Sequence, residues 1–379
     1  MIEPVYFKPS FGGVPLLSIP ILTLLPPTEY RHTIADAFGF ESMQATYVTT
    51  PETALEWFAE GLMRTVVVPG PDAGTVWEGF VSGVEIRIGQ ETRSIAIETM
   101  ANRITVLYTT VLGTPGTTSP VSDADSQAAY GVKDRVETLA ASTATAAANK
   151  AARILAQLKQ PRAVATSGAA TGEISGDAQL VITATGWYET LGWVVTSRSS
   201  TTSTSTTTQV GDLLATSGIG IGAVNAFLSP STELIVSSGV SDTEYIAANT
   251  TYREKFEALL GQGNSGGNGL SWGVAEGRLF YVDLSLETSG PTDVQLRRKL
   301  GEGRILDKYN TPVAWWSIRP NTIYEVDELM DANTSVVTSD MAGRSYVARV
   351  TCGVTADQIS VDLEGPNGDS IDRIIASIR

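Results

Sequence analysis

Histidine is the side chain most often used for proton transfer near neutral pH. This chain of 379 residues has one, His32, in the stretch EYRHTIADAF. A Ser-His-Asp or Cys-His arrangement could draw on that residue alone, and no Ser or Cys motif lies beside it. His32 therefore reads as a hydrogen-bonded or exposed histidine. The one Cys, Cys352 in the strand-like ARVTCGV, excludes a disulfide framework and a cysteine-based zinc site, and reads as a small buried apolar group. Asp and Glu number 41, so a glycosidase-type carboxylate pair is open by count. Glu78 and Glu85, or Asp327 and Glu328, have no distinctive setting, however, and read as surface charge. The SDADS tract at 122–126 starts like a calcium loop but lacks the Gly at position 6 and the Glu at position 12, so a helix cap or linker is expected. The Gly-rich GQGNSGGNG at 261–269 lacks the Lys-Ser/Thr of a phosphate loop and reads as a connector. No catalytic residue, cofactor or metal site is expected. Trp187, Tyr188, Trp193, Trp272, Trp315 and Trp316 fall in strand-rich stretches. Such rings could form a sugar platform, but core or interface packing is the favoured reading.

The elements that would hold such groups have their own signature. Charged residues are 18% of the chain, while Thr, Ser and Gly are abundant, which favours strands and turns. The net charge of −15 comes without a Lys/Arg stripe, against a general nucleic-acid binder. The RRK run at 297–299 reads as a solvated turn or strand edge. The apolar VPLLSIPILTLLPP at 14–27 holds four prolines and is shorter than a membrane span. It is expected to lie extended on a core or on a neighbouring subunit. No basic segment precedes it as in a secretory signal, so synthesis in a cytoplasm is expected.

Along the chain, PETALEWFAEGLM at 51–63 predicts a short amphipathic helix, with Pro51 in its first turn. The strands RTVVVPG, VWEGFVSGVEIRIG, RSIAIETM and NRITVLYTTV follow with short turns, the pattern of an antiparallel sandwich or barrel. Within TVWEGFVSGVEIRIG, Phe80, Val84, Ile86 and Ile88 are expected to face a core and Val81, Glu85 and Arg87 to face outward. Residues 111–127 read as a linker, and 134–158 as a long Ala-rich helix ending before Pro161. A second β region begins near 163. Its Ser/Thr tract at 196–208 admits a flexible loop or a Thr-rich hairpin arm. A helix over 242–263, capped by Asp242 or Thr243 and ended by Gly261, precedes the strand-like 269–285. The C-terminal part mixes strands with a final amphipathic IDRIIASIR.

The expected fold class is mainly β with a few helices (α+β). The expected segments are an N-terminal barrel with one short helix at 1–118, linker and Ala-rich helix at 119–163, a second β domain at 164–290 with a loop or arm at 196–222, and a C-terminal α+β segment at 291–379. A W-x-G-x-V element in WEGFV and a W-G-V in SWGVAEGRLFYVDL form a faint internal echo.

The order ALEWFAEGL, VWEGFVSGVEI, MANRITVLYT, YGVKDRVETL and an Ala-rich stretch ending QLKQPR, followed by GLSWGVAEGRLFYV and VAWWSIRPNTIYEVDEL, resembles tail proteins of bacteriophages and prophages, in particular the baseplate hub family. The similar blocks span 38–162 and 270–330. The resemblance implies two tail-tube-type antiparallel β-barrel domains joined by the Ala-rich helix. It implies three chains closing a pseudo-sixfold ring between the sixfold tube and the threefold tip, a hexamer being the alternative. The residues that carry it are Trp57, Phe58, Trp77, Gly79, Asn102, Arg103, Val106, Tyr108, Tyr130, Gly131, Trp272, Gly273, Arg278, Trp316 and Arg319, all read as architectural. Glu85 and Arg87 join them as interface candidates. The implied partners are copies of the chain, tube, distal tail and tip proteins, and phage DNA passing non-specifically; the implied location is the virion tail, assembled in the host cytoplasm. The Ser/Thr tract departs from the family pattern. A hexameric distal tail or tube protein, a tip adhesin using Trp187, Trp193, Trp315 or Trp316, and a glycan hydrolase are the alternatives.

Overall fold

The computed structural model describes residues 4–7, 24–35, 37–70, 74–167, 177–196, 203–215, 228, 235–243, 250–267 and 269–284, and beyond them the backbone of 295–298, 305–306, 323–325, 344–353 and 359–364. Trp315, Trp316, Arg319, the final IDRIIASIR and most of the 14–27 run lie outside the described residues.

In chain order the strands are β1 (Val5–Phe7), β2 (Glu29–Ala35), β3 (Ala37–Thr49), β4 (Thr65–Pro69), β5 (Thr75–Ile88), β6 (Glu91–Ala96), β7 (Arg103–Thr109), β8 (Pro115–Thr117), β9 (Val121–Ser122), β10 (Asp134–Leu139), β11 (Arg162–Ser167) and β12 (Ala178–Thr185). They continue with β13 (Val195–Thr196), β14 (Ser203–Ser205), β15 (Ser241–Thr243), β16 (Thr250–Thr251), β17 (Leu270–Ala275), β18 (Leu279–Leu284), β19 (Gln295–Arg298), β20 (Ile305–Leu306), β21 (Ile323–Glu325), β22 (Arg344–Gly353) and β23 (Ile359–Glu364). The helices are α1 (Pro51–Glu60), α2 (Ala124–Tyr130), α3 (Ala144–Leu158), α4 (Thr206–Ala215) and α5 (Tyr252–Leu260), with 3-10 turns at Trp187–Gly192 and Glu276–Arg278. The protein is thus mainly β with a few helices.

One large sheet runs β1-β4-β5-β12-β3-β2-β22-β21-β19-β20. β6 joins the edge of β5, β11 pairs β6, and β17 pairs β3 in parallel. The sheets are open among the described residues and do not close into the expected barrels. The large sheet also crosses the segment boundary expected at 163/164. β12, from the later segment, hydrogen-bonds β5 on one side and β3 on the other. Pairing of strands distant in sequence is set by buried faces that fit, which local periodicity does not encode.

α1 follows its sequence. Thr50 caps it, its side chain accepting from the Thr53 amide, Pro51 sits in the first turn, and Ala54 and Trp57 are buried. Trp57 packs with Tyr6, Met43, Tyr47, Trp77 and Ile182 into one core on the sheet. A second core forms where the Trp187 turn, α4 and α5 meet, with Phe80, Leu213, Phe256 and Phe280.

β5 corrects the expected parity. Residues 83–88 alternate, with Val84 and Ile86 buried, Glu85 half-buried and Arg87 exposed beside it at 2.8 Å. Residues 76–82 are buried throughout. Against β12 the register jumps from Thr183↔Gly83 to Ala184↔Val81, leaving Ser82 as the extra residue of a bulge. A bulge reverses which side chains share a face. Val81 therefore joins Val84 and Ile86 in the Trp57 core, and Phe80 turns into the Trp187 core.

β7 leaves the large sheet and forms a smaller one with β8, β9 and β10. The expected linker at 111–127 supplies β8, β9 and the start of α2. The expected helix over 134–158 divides in two: β10 pairs β7 in parallel, and only 144–158 is helical. The break is local. Ala141 takes a left-handed φ of 48°, and Thr143 caps α3 by accepting from the Ala146 amide. Ala147, Ala151 and Leu155, spaced by four, pack α3 onto Ile104 and Val106 of β7.

Part of the Ser/Thr tract is described: β14 pairs β15, and α4 follows it, burying Val210, Leu213 and Leu214 in the second core. Residues 197–202 and 216–222 of the expected loop or arm lie outside the described residues. The later helix starts at Tyr252 rather than 242. Thr251 and Glu254 form a capping box, and Gly261 ends it.

Candidate functional site

Two arrangements gather buried polar groups. The first lies under β5. Glu78 and Arg278 are both buried, with Glu78 Oε1 and Arg278 Nε 3.8 Å apart. The Gly277 amide donates to Glu78 Oε2 at 2.8 Å, and Arg278 Nη2 donates to Thr65 Oγ1 at 3.1 Å. The guanidinium also covers the Trp187 ring at 3.9 Å. Burial raises the Glu78 carboxyl above its usual range, opposed by the Gly277 amide and the Arg278 charge. Burial likewise lowers Arg278 to about 10, against the pull of Glu78. Arg278 holds a left-handed φ of 62°, which fixes its direction from the 3-10 turn. The expectation that Glu78 is surface charge is therefore corrected. Its signal in the sequence was its place between Trp77 and Phe80, inside a strand long enough to be buried on both faces.

The second arrangement is a cleft of about 830 Å³ where the large and small sheets meet. Asn102 organises one wall. Its Nδ2 donates to the Gly131 carbonyl at 2.7 Å and to Ser126 Oγ at 3.2 Å, and its Oδ1 accepts from the Lys133 amide at 2.8 Å. Asp123 caps α2 through the Ser126 amide, as the cap reading of SDADS expects. Arg103 grips Asp134 through two nitrogens, at 2.5 and 2.7 Å, and Asp134 in turn accepts from the Val195 amide at 2.9 Å. This joins the small sheet to the second core. Side-chain hydrogen bonding to Asp134 raises Arg103 above its ordinary value.

Lys133 lies in the cleft wall, buried. Its Nζ donates to the Ile97 carbonyl at 2.6 Å and sits 4.4 Å from the Trp193 ring centre. Burial lowers its pKa to about 8, against the attraction of Glu189 and Glu98. An amine so tuned could serve as a base, but here the ammonium is engaged by a carbonyl and a ring. Opposite, Arg253 bridges Glu189 at 2.5 Å and Glu257 at 2.9 Å, and the Trp272 indole donates to Tyr188 Oη at 3.2 Å. Sequence reasoning missed Lys133 and Asp134, having placed Asp134 in a helix and given Lys133 no role.

Of the expected site residues, Trp57 and Trp77 are fully buried in the first core, and Arg64 covers the Trp57 ring at 5.2 Å. Gly79 backs directly onto the Thr185 carbonyl. Tyr108 packs on the small core, Trp272 on the second core, and Glu85 and Arg87 pair with each other on the surface. Asn102 and Arg103 come together at the cleft, while Arg278 belongs to the Glu78 cluster. Trp187 and Trp193 are buried, as core packing expects. His32 is buried and hydrogen-bonded through Nδ1 to Tyr30 Oη at 2.9 Å.

No protein-family model matches the chain, and no curated protein does. Among solved structures it is similar to the tail protein from Neisseria meningitidis MC58, at a TM-score of 0.40 and 8% identity over 95% of each chain. No helix among the described residues is long and apolar enough to cross a membrane.

Proposed function

We propose that this protein is a structural component of a phage tail or phage-like particle: a baseplate hub or closely related minor tail protein that acts by assembly and catalyses no reaction. The observation that carries the reading is where the family-like residues lie. Trp57, Trp77 and Gly79 from the first half, and Trp272 and Arg278 from the second, are committed to internal packing around one continuous sheet. Residues placed this way define a scaffold that presents its surfaces to neighbours.

In this role three copies form the ring that adapts the sixfold tube to the threefold tip, and the lumen passes DNA. The charge of −15 suits a bore along which phosphates slide without adhering. A hexameric distal tail or tube ring is the second reading. The adhesin reading loses two of its four rings, because Trp187 and Trp193 are buried.

Electron microscopy of the assembled protein or particle tests the proposal. Threefold rings coaxial with a tail tube are the expected result, and sixfold rings would favour the distal tail reading. A protein that stays monomeric in isolation and is absent from tails would overturn both. A neutral or basic bore would remove the proposed basis for DNA passage.

A further inference from the structure

Among the described residues, Val111 and Leu112 are the most exposed large apolar side chains, at 80% and 90%. They occupy the tip of the β7–β8 hairpin, and the tip is built. The Thr110 amide donates to the Thr114 carbonyl at 2.8 Å, the Gly113 amide to the Thr110 carbonyl at 2.9 Å, and the Thr114 amide to Thr110 Oγ1 at 3.0 Å. Gly113 supplies the φ of 82° that the turn requires. From Ile104 to Ser122 the hairpin and its flank carry no charged residue. Two adjacent apolar side chains held outward on a hydrogen-bonded turn make a feature shaped for a partner.

The same chain carries a receptor for it. The cleft has apolar walls from Phe80, Ile97, Met100 and Trp193, and Lys133 is its buried cation. Glu98 and Glu189 act on that cation from the same cleft. The lining also holds Arg135 and Arg253, but most of its charges are engaged within the chain: Asp134 with Arg103, Arg135 with Glu137 and Glu189 with Arg253. A charged surface would find few free counter-charges there, whereas an uncharged hairpin needs none. Seated there, the Val111 and Leu112 side chains would fill the apolar wall, while the Lys133 ammonium stays on the Ile97 carbonyl and the Trp193 ring.

The hairpin cannot fill the cleft of its own chain. β7 starts beside the cleft at Arg103, whose partner Asp134 lines it, and runs away from it to Thr109. At about 3.3 Å per strand residue the tip stands roughly 20 Å off. We propose that the Val111-Leu112 tip of one copy seats in the Lys133 cleft of a second copy. This is a heterologous contact, one surface against a different surface, of the kind that closes rings or extends filaments. The inference rests on the reading of the chain as a self-assembling protein and names the surfaces that meet.

Sedimentation velocity of the full chain over a concentration series tests it, with three proteins: the unaltered chain, a tip variant Val111→Ser/Leu112→Ser, and a cleft variant Thr99→Trp. Thr99 is exposed at the cleft, so the indole blocks entry without entering a core. Circular dichroism and thermal unfolding confirm that the variants fold. Each variant alone is expected to self-associate at least ~10-fold more weakly. An equimolar mixture is expected to recover a dimer, because the intact tip of one meets the intact cleft of the other, and to stop there. If the tip variant assembles like the unaltered chain, or the mixture recovers nothing, the contact is wrong while the assembly reading stands. If the unaltered chain is monomeric at every concentration, both fall.

Discussion

Glu78 and Arg278 come from opposite halves of the chain and meet 3.8 Å apart, both removed from solvent. Burial moves the pKa of each toward its neutral form, so desolvation outweighs mutual attraction on both sides. Arg278→Met leaves a buried carboxylate without its cation and is expected to cost about 3–5 kcal/mol at pH 7. An acid whose folded pKa is raised stabilises the fold below its unfolded pKa, and that contribution is lost as pH rises through the raised value. The loss in Arg278→Met should therefore shrink between pH 7 and pH 5 as Glu78 takes up a proton. Glu78→Gln/Arg278→Met should recover most of the stability at pH 7. Urea denaturation at both pH values measures all three proteins; a loss that does not change with pH would show that the Glu78 charge is not the cause.

Asn102 is expected to be the most sensitive polar position of the small sheet. Its amide closes three hydrogen bonds, to Gly131, Ser126 and Lys133, with no access to water. Asn102→Ala strands a buried carbonyl and a buried amide, at about 1–3 kcal/mol each. Asn102→Asp keeps the acceptor for the Lys133 amide but turns an oxygen toward the Gly131 carbonyl. It should fold only with a comparable loss. Equilibrium unfolding followed by tryptophan fluorescence reads both, and a change within ~0.5 kcal/mol for either would contradict the role.

These clusters mark the limit of what the sequence revealed. α1 was legible because its cap, its Pro51 and the burial of Trp57 are local facts. The antiparallel run β4-β5-β6 was legible because its turns are short. β10 was not: DRVETL lacks a breaker and leads into an Ala-rich run, and its strand form comes from the parallel partner β7. The place of β12 between β3 and β5 is likewise a long-range pairing. The Ser82 bulge changed a parity that simple alternation had carried from Phe80 to Ile88. Asn102 and Arg103 were found through resemblance, without their partners Lys133 and Asp134, which lie 31 residues on.

Lys133 should make stability rise with pH over an identifiable window. Its folded pKa of about 8 lies below the ordinary 10.5, so between these values the unfolded chain holds a proton that the folded chain has released. Folding thus becomes more favourable from pH 8 to 10.5, by about 3 kcal/mol from this group. Below pH 8 both states are protonated and the burial cost stands in full. Lys133→Met removes the cost and leaves no buried carboxylate without its cation, since no ion pair to Lys133 lies within 4.0 Å among the described residues. It should be neutral or stabilising at pH 7 and lack the rise. The difference between the two proteins at pH 7 and pH 10 isolates this group from others that titrate in the range; a constant difference would refute the assignment.

The two glycines of β5 should respond in opposite ways to the same substitution. At Gly79 an added Cβ would stand 2.3 Å from the Thr185 carbonyl oxygen and 2.4 Å from the Trp77 ring. Both are fixed, one by the β5–β12 ladder and the other by the first core. Gly79→Ala must push β12 away beside the Ser82 bulge, and overpacking of this kind costs about 1–3 kcal/mol. At Gly83 the nearest atoms stand at 3.7 Å, an ordinary contact, and the backbone needs no left-handed conformation. Gly83→Ala also removes freedom from the unfolded chain, so it should be neutral or stabilise by up to ~1 kcal/mol. Thermal unfolding of the pair against the unaltered protein checks this. If Gly79→Ala proves as mild as Gly83→Ala, the close approach of β12 to β5 at the bulge is not a constraint on the fold, and Gly79 loses its architectural role.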